Sequence, residues 1–347
     1  MAYKGVLKDI QKCVDLKKPD NLPMFACSEE FDVRMAGMVY EDYCQNADKI
    51  FECQKFVIEK YGYDWAWLQI DDCIEFEILG VGCKGEGNIL RATCNYLPHS
   101  FEKMKKLKIP NFHKEGRAPV LLKAIRMCKD YFKDTVCVTG RTAAPFSSVT
   151  LLFGINETMM MINENTNLLR EALEFFTELQ IKFGVAQIKE GADAIWFGDC
   201  CAASSMISPK HYKEFAFPYA KKVAEAYQKN GGWTFYHASE SNPAYIEMMA
   251  DLGVSVLSVG ENADIAKAKQ IVKNKVCLTG NIDPIKVLLY KSPEEVAKEA
   301  ERILNITAGE GGYIFDSGEM IPRDTPEENM IAMINAIRKY NNREPLF

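Results

Sequence analysis

The sequence predicts an α/β protein folded as a (β/α)8 barrel, and three observations lead to that prediction. Eight short runs rich in β-branched and aromatic residues are bounded by Gly, Pro, Asp or Asn, as strands are. Amphipathic helices separate the later runs, which favours a parallel sheet with right-handed crossovers. Eight strands also close a barrel. No Gly-x-Gly-x-x-Gly comes directly after any of the runs, and no helix pattern follows the glycine-rich stretch at 80–87, so an open doubly wound sheet ranks second.

The elements follow from local patterns along the chain. Strands are predicted at 22–27, 66–70, 135–140, 194–199, 233–237, 254–260, 276–280 and 312–317. Helices are predicted at 209–229, 243–252, 264–272, 293–306 and 326–340. Ser208, Ser292 and Thr325 are the expected N-caps, and Glu295 completes a capping box with Ser292. We expect a single domain over residues 1–347, with an N-terminal extension and a glycine-rich hairpin insertion at about 75–97, reaching to about 115.

Composition narrows the class of protein. The chain has 347 residues, of which 48% are hydrophobic and 26% are charged, so it can bury a large core and is not disordered as a whole. Its formal net charge of −6 argues against a nucleic-acid partner. No apolar run is long enough for a membrane span, and the first residues lack the apolar stretch of a signal peptide. We therefore expect a cytoplasmic protein without a membrane partner.

The 12 cysteines are scattered and form no Cys-x-x-Cys motif. In a reducing cytosol they are thiols, and most are expected to be small buried hydrophobic residues. A ribbon or finger zinc site is therefore not expected. The adjacent pair Cys200 and Cys201 is the one cluster in the sequence.

Polar groups collect where the predicted strands end. Barrel enzymes place their chemistry at the carboxyl ends of the strands, and nearly every end here carries a carboxylate, with one His and one Arg. Converging carboxylates repel one another unless protons or a cation offset them. One His with several carboxylates is a ligand set for a divalent metal. The candidates are Glu29, Glu30, Asp72, Glu75, Glu77, Arg141, Asp199, His237, Glu240, Glu261, Asn262, Asn281, Asp283, Asp316 and Glu319.

Several motifs resemble those of the uroporphyrinogen decarboxylase superfamily. They lie at 191–195 (GADAI), 206–209 (MISP), 280–284 (GNIDP) and 322–329 (PRDTPEEN). The resemblance spans most of the chain, is strongest after about residue 185, and implies a (β/α)8 barrel. One branch of that superfamily decarboxylates uroporphyrinogen without a cofactor. The other comprises corrinoid-dependent methyltransferases, including methylcobamide:coenzyme M methyltransferases.

The decarboxylase branch fits poorly. Its substrate carries eight carboxylates, and the family places an Arg-Gln-Ala-Gly-Arg run after the first strand. Here that region reads ACSEEF at 26–31, with Arg34 alone nearby. An acidic rim of this kind repels a polyanion, so the methyltransferase branch is the better match.

The methyltransferase branch implies a metal site with altered ligands. In its coenzyme M enzymes, zinc is held by a His-x-Cys pair after the fifth strand and a Cys after the eighth. Those positions here carry His237 with Ser239, and Glu319. The resemblance therefore implies zinc or another divalent metal on His237 and Glu319, with Asp199 or Glu240 as third ligand. Oxygen in place of both thiolates makes the metal a harder Lewis acid, which suits an oxygen-bound methyl donor.

The expected reaction moves a methyl group from a small methyl ether to the Co(I) of a partner corrinoid protein. The candidate catalytic residues are His237, Glu319 and Asp199, and without a metal His237 and Glu319 would be general acid and base. The candidate substrate-binding residues are Asp72, Arg141, Phe146, Tyr236 and Asn281, and Trp65, Trp67 and Trp196 are further aromatic candidates. Three alternatives stay open: transfer from a methylcobamide to a thiol or tetrahydrofolate, uroporphyrinogen decarboxylation, and an inactive binding barrel. A homodimer is also open.

Overall fold

A parallel sheet of seven strands forms the centre of the molecule, in the order β1-β4-β5-β6-β7-β8-β9. The structure is a computed structural model and describes residues 3–346. The sheet strands are β1 (Trp65–Trp67), β4 (Cys137–Ala143), β5 (Ala194–Gly198), β6 (Trp233–His237), β7 (Val256–Ser258), β8 (Cys277–Ile282) and β9 (Tyr313–Ser317). The sheet curls into the predicted barrel, with its buried core between the strands and the surrounding helices.

The segment around Met24 occupies the eighth position and closes the barrel. The Phe25 amide donates to the Phe315 carbonyl at 2.8 Å, and the Asp64 amide donates to the Met24 carbonyl at 3.0 Å. The predicted strand at 22–27 is nevertheless wrong as a regular strand, since Met24 forms only an isolated bridge to Phe315. Pro23 has no N–H to give, and the Met24 amide donates to the Asp64 side chain at 2.9 Å, so the ladder is interrupted.

Helices surround the barrel. They are α1 (Val6–Val14), α2 (Glu29–Met35), α3 (Tyr40–Tyr43), α4 (Ala47–Tyr61), α5 (Ile74–Glu77), α6 (Phe101–Met104), α7 (Ala118–Phe132), α8 (Pro145–Phe153), α9 (Ile155–Glu164), α10 (Thr166–Lys189), α11 (Pro209–His211), α12 (Phe217–Lys229), α13 (Pro243–Met249), α14 (Ile265–Val272), α15 (Pro293–Thr307) and α16 (Glu327–Tyr340). In the described residues, no helix has the length and apolar character that crossing a membrane requires.

Three helix N-caps were predicted from the sequence, and the structure contains two of them. Ser292 and Glu295 form the predicted capping box of α15, and the Ser208 side chain caps α11. The predicted helix at 209–229 contains a π-helical stretch at 212–216, directly before Pro218, which lacks the N–H of a regular turn. The predicted Thr325 cap is wrong, because α16 begins after Pro326 and the Thr325 hydroxyl has no partner in the described part of the chain.

A short hairpin beside the barrel mouth is the predicted insertion. It pairs β2 (Gly82–Lys84) with β3 (Ala92–Asn95) in antiparallel register. Arg117 ties this region to the end of β1, since its guanidinium bonds Asp71 at 2.7 Å and Glu77 at 2.8 Å. Glu77, a candidate carboxylate after the second predicted strand, is therefore paired with a cation, as is Asp71.

Asp64 makes barrel closure sensitive to pH. Burial raises the pKa of its carboxyl to about 7, although the Met24 amide lowers it. An unfolded Asp releases its proton near pH ~4. The unfolding free energy therefore falls as pH rises between those two values, because the folded state holds the proton longer.

We expect Asp64→Asn, which cannot ionise, to flatten this pH dependence. The gap in unfolding free energy between variant and wild type should shift in favour of the variant by about 2.5 kcal/mol from pH 5 to pH 8, because the unfolded Asp is already ionised at pH 5. Urea unfolding at both pH values measures it. Asp134→Asn, which removes an exposed carboxylate before β4, is the matched control. Parallel pH profiles for wild type and Asp64→Asn would contradict the assignment.

Candidate active site and metal centre

A cavity of about 230 Å³ opens at the carboxyl ends of the strands. Its apolar wall includes Trp67, Trp196 and Met320. The two indole planes are inclined at 71° with centroids 5.7 Å apart, so they form two faces of a corner. A small molecule with a flat apolar face fits such a corner.

Three potential metal ligands meet on the wall of this cavity. They are the Cys200 thiol after β5, the His237 imidazole at the end of β6 and the Glu319 carboxylate after β9. One ligand atom from each lies within 4.8 Å of the others. Sulfur, nitrogen and oxygen are the donor types that zinc accepts, so these residues fit a divalent metal. The expected pair His237 and Glu319 does come together, and the third member is Cys200.

Neighbouring groups orient these side chains. His237 Nδ1 lies 2.9 Å from the Ser258 hydroxyl, which leaves Nε2 facing Glu319 at 3.2 Å. An outer hydrogen bond of this kind fixes the orientation of a ligating His. Ser239 bonds both His237 Nε2 and Glu319, from a backbone with φ of 49°. Gly318 lets the Glu319 loop approach, since a Cβ there would lie 2.4 Å from the Glu261 amide nitrogen.

His237 and Glu319 each favour the charged form of the other, so the imidazole holds its proton more strongly than a free His does. Burial alone lowers the pKa of His237, but the charges of Glu319 and Cys200 raise it well above its ordinary value. Burial acts to raise the pKa of Glu319, whereas His237 and Ser239 together lower it to about 2. A metal ion and this proton therefore compete for the same ring nitrogen.

Asp199 lies beside the metal group and has other partners. Its oxygens accept from the Ser147 hydroxyl at 2.9 Å and the Tyr236 hydroxyl at 2.9 Å. Burial raises the pKa of Asp199 to about 6, although both hydroxyl donors lower it. Because Ser147 reaches the cavity, Asp199 acts on the site by orienting that hydroxyl. The expectation that Asp199 is the third ligand is not supported by this arrangement.

Arg141 and Asp72 form a second polar group at the cavity. Arg141 is 1% exposed and bonds Asp72 at 2.7 Å, Gln69 at 3.1 Å and also Glu75. Asp72 and Gln69 line the cavity, and the guanidinium lies behind them. Asp72 therefore faces the cavity, and Arg141 holds the Asp72 carboxylate from behind.

Four of the predicted site residues lie outside the cavity lining and the metal group. The Glu240 carboxylate accepts from the amides of Ser204, Ser241 and Asn242, so it organises a loop and is not in the metal group. Phe146 is fully buried in the core. Asn281 donates to the carbonyls of residues 260 and 263 and is 5% exposed. Tyr236 is buried and reaches the site only through Asp199.

Cys200 is the candidate ligand that the sequence analysis missed. The signal was present, because Cys200 directly follows the predicted strand end at Asp199 and starts the adjacent cysteine pair. Among the predicted aromatic residues, Trp67 and Trp196 line the cavity, while Trp65 stacks beneath Trp67 with its indole bonded to Ala26.

Comparison with known proteins places this geometry in a family. The family model for uroporphyrinogen decarboxylase (URO-D) matches residues 8–340. The chain belongs to the uroporphyrinogen decarboxylase family.

Its relatives within the family have two activities. A methylcobamide:CoM methyltransferase, MtbA of Methanosarcina acetivorans, is 27% identical over 331 residues, covering 93% of this chain and 95% of that protein. A uroporphyrinogen decarboxylase of Methylococcus capsulatus is 25% identical over 325 residues, with 89% of each chain covered. The solved structure of a methyltransferase from Methanosarcina mazei superposes with a TM-score of 0.87 at 21% identity, covering 96% of this chain and 98% of that one. The family fold and the predicted barrel are thereby confirmed.

Proposed function

We propose that this chain is a corrinoid-dependent methyltransferase that takes a methyl group from an oxygen-bound donor. The acceptor is the Co(I) of a corrinoid carried by a partner protein. The observation that carries the proposal is the Cys200, His237 and Glu319 group on the wall of a small, largely apolar cavity. The similarity to a methylcobamide:CoM methyltransferase supports the class of reaction.

Cys200, His237 and Glu319 would hold the metal, most simply zinc. When bound, the metal supplies Lewis-acid polarisation of the donor oxygen. The chain's own residues do the rest. Ser258 keeps His237 Nε2 facing the cavity, and Ser239 lies between His237 and Glu319. Trp67 and Trp196 exclude water and hold the apolar part of the donor.

The proposed reaction breaks one bond, forms one bond and consumes one proton. The bond between the methyl carbon and oxygen breaks, its electron pair stays on oxygen, and a bond forms between the methyl carbon and cobalt. The departing alkoxide or phenolate then takes up a proton. Asp199 can hold that proton and pass it through the Ser147 hydroxyl at the cavity wall, so that Ser147 gives one proton to the departing oxygen and takes another from Asp199.

A polycarboxylate substrate fits this cavity poorly. Among the described residues, its lining includes the carboxylates Asp72 and Glu319 but no Lys or Arg. Arg141 is the nearest guanidinium in the network and is occupied by Asp72 and Glu75. Binding a polyanion requires free cationic forks, which argues against decarboxylation of uroporphyrinogen.

Transfer to a thiol acceptor is the second candidate, and Cys200 is the observation that favours it. A thiolate ligand donates charge to the metal and helps it carry a nucleophilic thiolate. Only one thiol belongs to the group, however, and the other two members are an imidazole and a carboxylate. This set of ligands is harder than one with two or more thiolates, so it favours an oxygen-bound methyl donor over a thiol acceptor.

Cobalt(II) substitution tests whether Cys200 is a ligand. We expect cobalt(II)-loaded wild type to show a near-ultraviolet thiolate-to-cobalt charge-transfer band, and Cys200→Ser to lose it while still binding cobalt. Cys201→Ser is the matched control, because Cys201 lines the same cavity but accepts from Thr150 at 3.2 Å and is not in the group. A band that survives in Cys200→Ser and disappears in Cys201→Ser would reverse the assignment.

A further inference from the structure

The carboxylate of Asp72 is built to recognise one particular feature of a ligand. Its Oδ1 accepts two hydrogen bonds, from Arg141 at 2.7 Å and from Gln69 at 2.9 Å. Among the described residues, Oδ2 has no hydrogen-bond partner, and the side chain is 52% exposed at the cavity. Oδ1 is thus held in place by two donors, and Oδ2 is free to accept a hydrogen bond from a ligand in the cavity.

The support behind Asp72 is rigid. Arg141 is 1% exposed, and its guanidinium is shared among Gln69, Glu75 and Asp72. The Arg141 amide and carbonyl are both bonded to the Gln187 side chain, at 2.9 Å and 2.8 Å. A side chain bound on this many sides cannot swing into the cavity to meet an anion. Its charge serves to hold Asp72 in place.

The remaining cavity wall defines what else the ligand must be. Trp67 and Trp196 present two apolar faces, and the volume of about 230 Å³ suits a single substituted ring. Glu319, on the same wall, is a second carboxylate. With the methoxy oxygen directed at the metal ligands, a carboxylate elsewhere on the ring would meet the negative charge of Asp72, and the described lining includes no Lys or Arg to pair with it. A ring hydroxyl could instead donate to Asp72 Oδ2.

We infer that Asp72 is the specificity-determining residue, and that the donor is an uncharged aromatic methyl ether bearing a hydroxyl group. This inference rests on the proposed function for the oxygen-bound methyl group. The hydroxyl donates to Asp72, the ring packs in the corner of Trp67 and Trp196, and ring carboxylates are rejected. A quaternary ammonium ion would also suit acidic and aromatic walls, but it lacks the lone pair that a Lewis-acid site requires.

The test compares four probes by equilibrium titration of tryptophan fluorescence, with the full-length zinc-loaded chain and no corrinoid protein. The probes are 2-methoxyphenol, methoxybenzene, 3-methoxybenzoate and phenyltrimethylammonium. We expect 2-methoxyphenol to bind about tenfold or more tightly than each of the others, as a hydrogen bond to a charged acceptor allows. Tighter binding of 3-methoxybenzoate or of phenyltrimethylammonium would overturn the inference, as would equal binding of methoxybenzene.

Asp72→Asn supplies a second, independent readout. Its carbonyl can still accept from Arg141 and Gln69, but an N–H₂ donor replaces Oδ2. We expect 2-methoxyphenol to lose about tenfold in affinity and 3-methoxybenzoate to gain, so that their order reverses. Asp134→Asn, with the same change of charge at the opposite end of β4, should keep the wild-type order. An unchanged order in Asp72→Asn would overturn the inference.

Binding and turnover separate the two levels of the proposal. The expected ranking of probes with no methyl transfer to any Co(I) corrinoid protein would refute the proposed function and leave the role of Asp72 standing. If methyl transfer from oxygen donors occurs but binding does not depend on the ring hydroxyl, the proposed function stands and the role of Asp72 is refuted.

Discussion

Replacing His237 with alanine is expected to abolish metal binding and methyl transfer together. His237 provides the one imidazole in the group, between Cys200 and Glu319, and no other described His lies near enough to replace it. Loss of a direct ligand should weaken metal affinity by roughly 100-fold or more, since even outer-shell changes cost 10- to 100-fold. Metal content after purification without added metal, measured per chain, checks this expectation.

A graded series of variants makes that measurement specific. Glu319→Gln removes a charged ligand and should behave like His237→Ala. Ser258→Ala removes only the outer hydrogen bond to Nδ1, so it should weaken metal binding by about 10-fold and retain the site. Equal metal content in all four proteins would rule out these ligands. If wild type also binds no metal, the pair can act only as general acid and base.

The fold was largely predictable because its signals are local. Strand runs, turn residues and the Ser292 capping box depend on neighbours within a few positions, and those patterns survived in the structure. The first strand was predicted less well, because its interruption depends on a distant residue as well as on the adjacent Pro23. The Asp64 side chain takes the Met24 amide, and nothing near residue 24 in the sequence announces that bond.

The site shows the same division between local and distant information. Strand ends identified His237, Glu319 and Asp72 correctly as residues of the barrel mouth. They did not distinguish Cys200 from Glu240, since both follow strand ends and both are chemically able to bind a metal. The choice depends on where each side chain points. The Glu240 carboxylate accepts hydrogen bonds from three loop amides, whereas the Cys200 thiol lies within 4.8 Å of a His237 ring nitrogen.

The proposed Cys200 ligand would change how a metal bound in this group behaves. Positions 239 and 319 carry Ser and Glu, which alone predicts a hard site. A Cys200 thiolate would soften such a site, but it would keep the charge and the oxygen donor of Glu319. The site is therefore intermediate, and its preference for oxygen over sulfur should be measurable and open to change by substitution.

Methyl transfer from an oxygen-bound donor to Co(I) should exceed methylation of a thiol by this enzyme. Polarisation of the donor oxygen and delivery of a proton should be worth about 3 kcal/mol of barrier, or roughly 100-fold in rate. The assay mixes the enzyme with reduced corrinoid protein and methyl ethers, methanol or methylamines, and follows loss of the Co(I) spectrum. A parallel assay supplies methylcobalamin with coenzyme M or tetrahydrofolate.

The double variant Ser239→Cys with Glu319→Cys tests the physical reason for that preference. Two further sulfur ligands beside Cys200 and His237 would enrich the metal in electron density, so a bound thiolate should become more nucleophilic and an oxygen donor less polarised. The ratio of thiol methylation to ether demethylation should rise by about tenfold or more, which is about 1.4 kcal/mol of relative barrier. Ser239→Ala with Glu319→Asp is the control, because it changes both positions and adds no sulfur while a carboxylate ligand is kept. An unchanged ratio in the cysteine variant, with metal still bound, would mean that ligand softness does not set the direction of transfer.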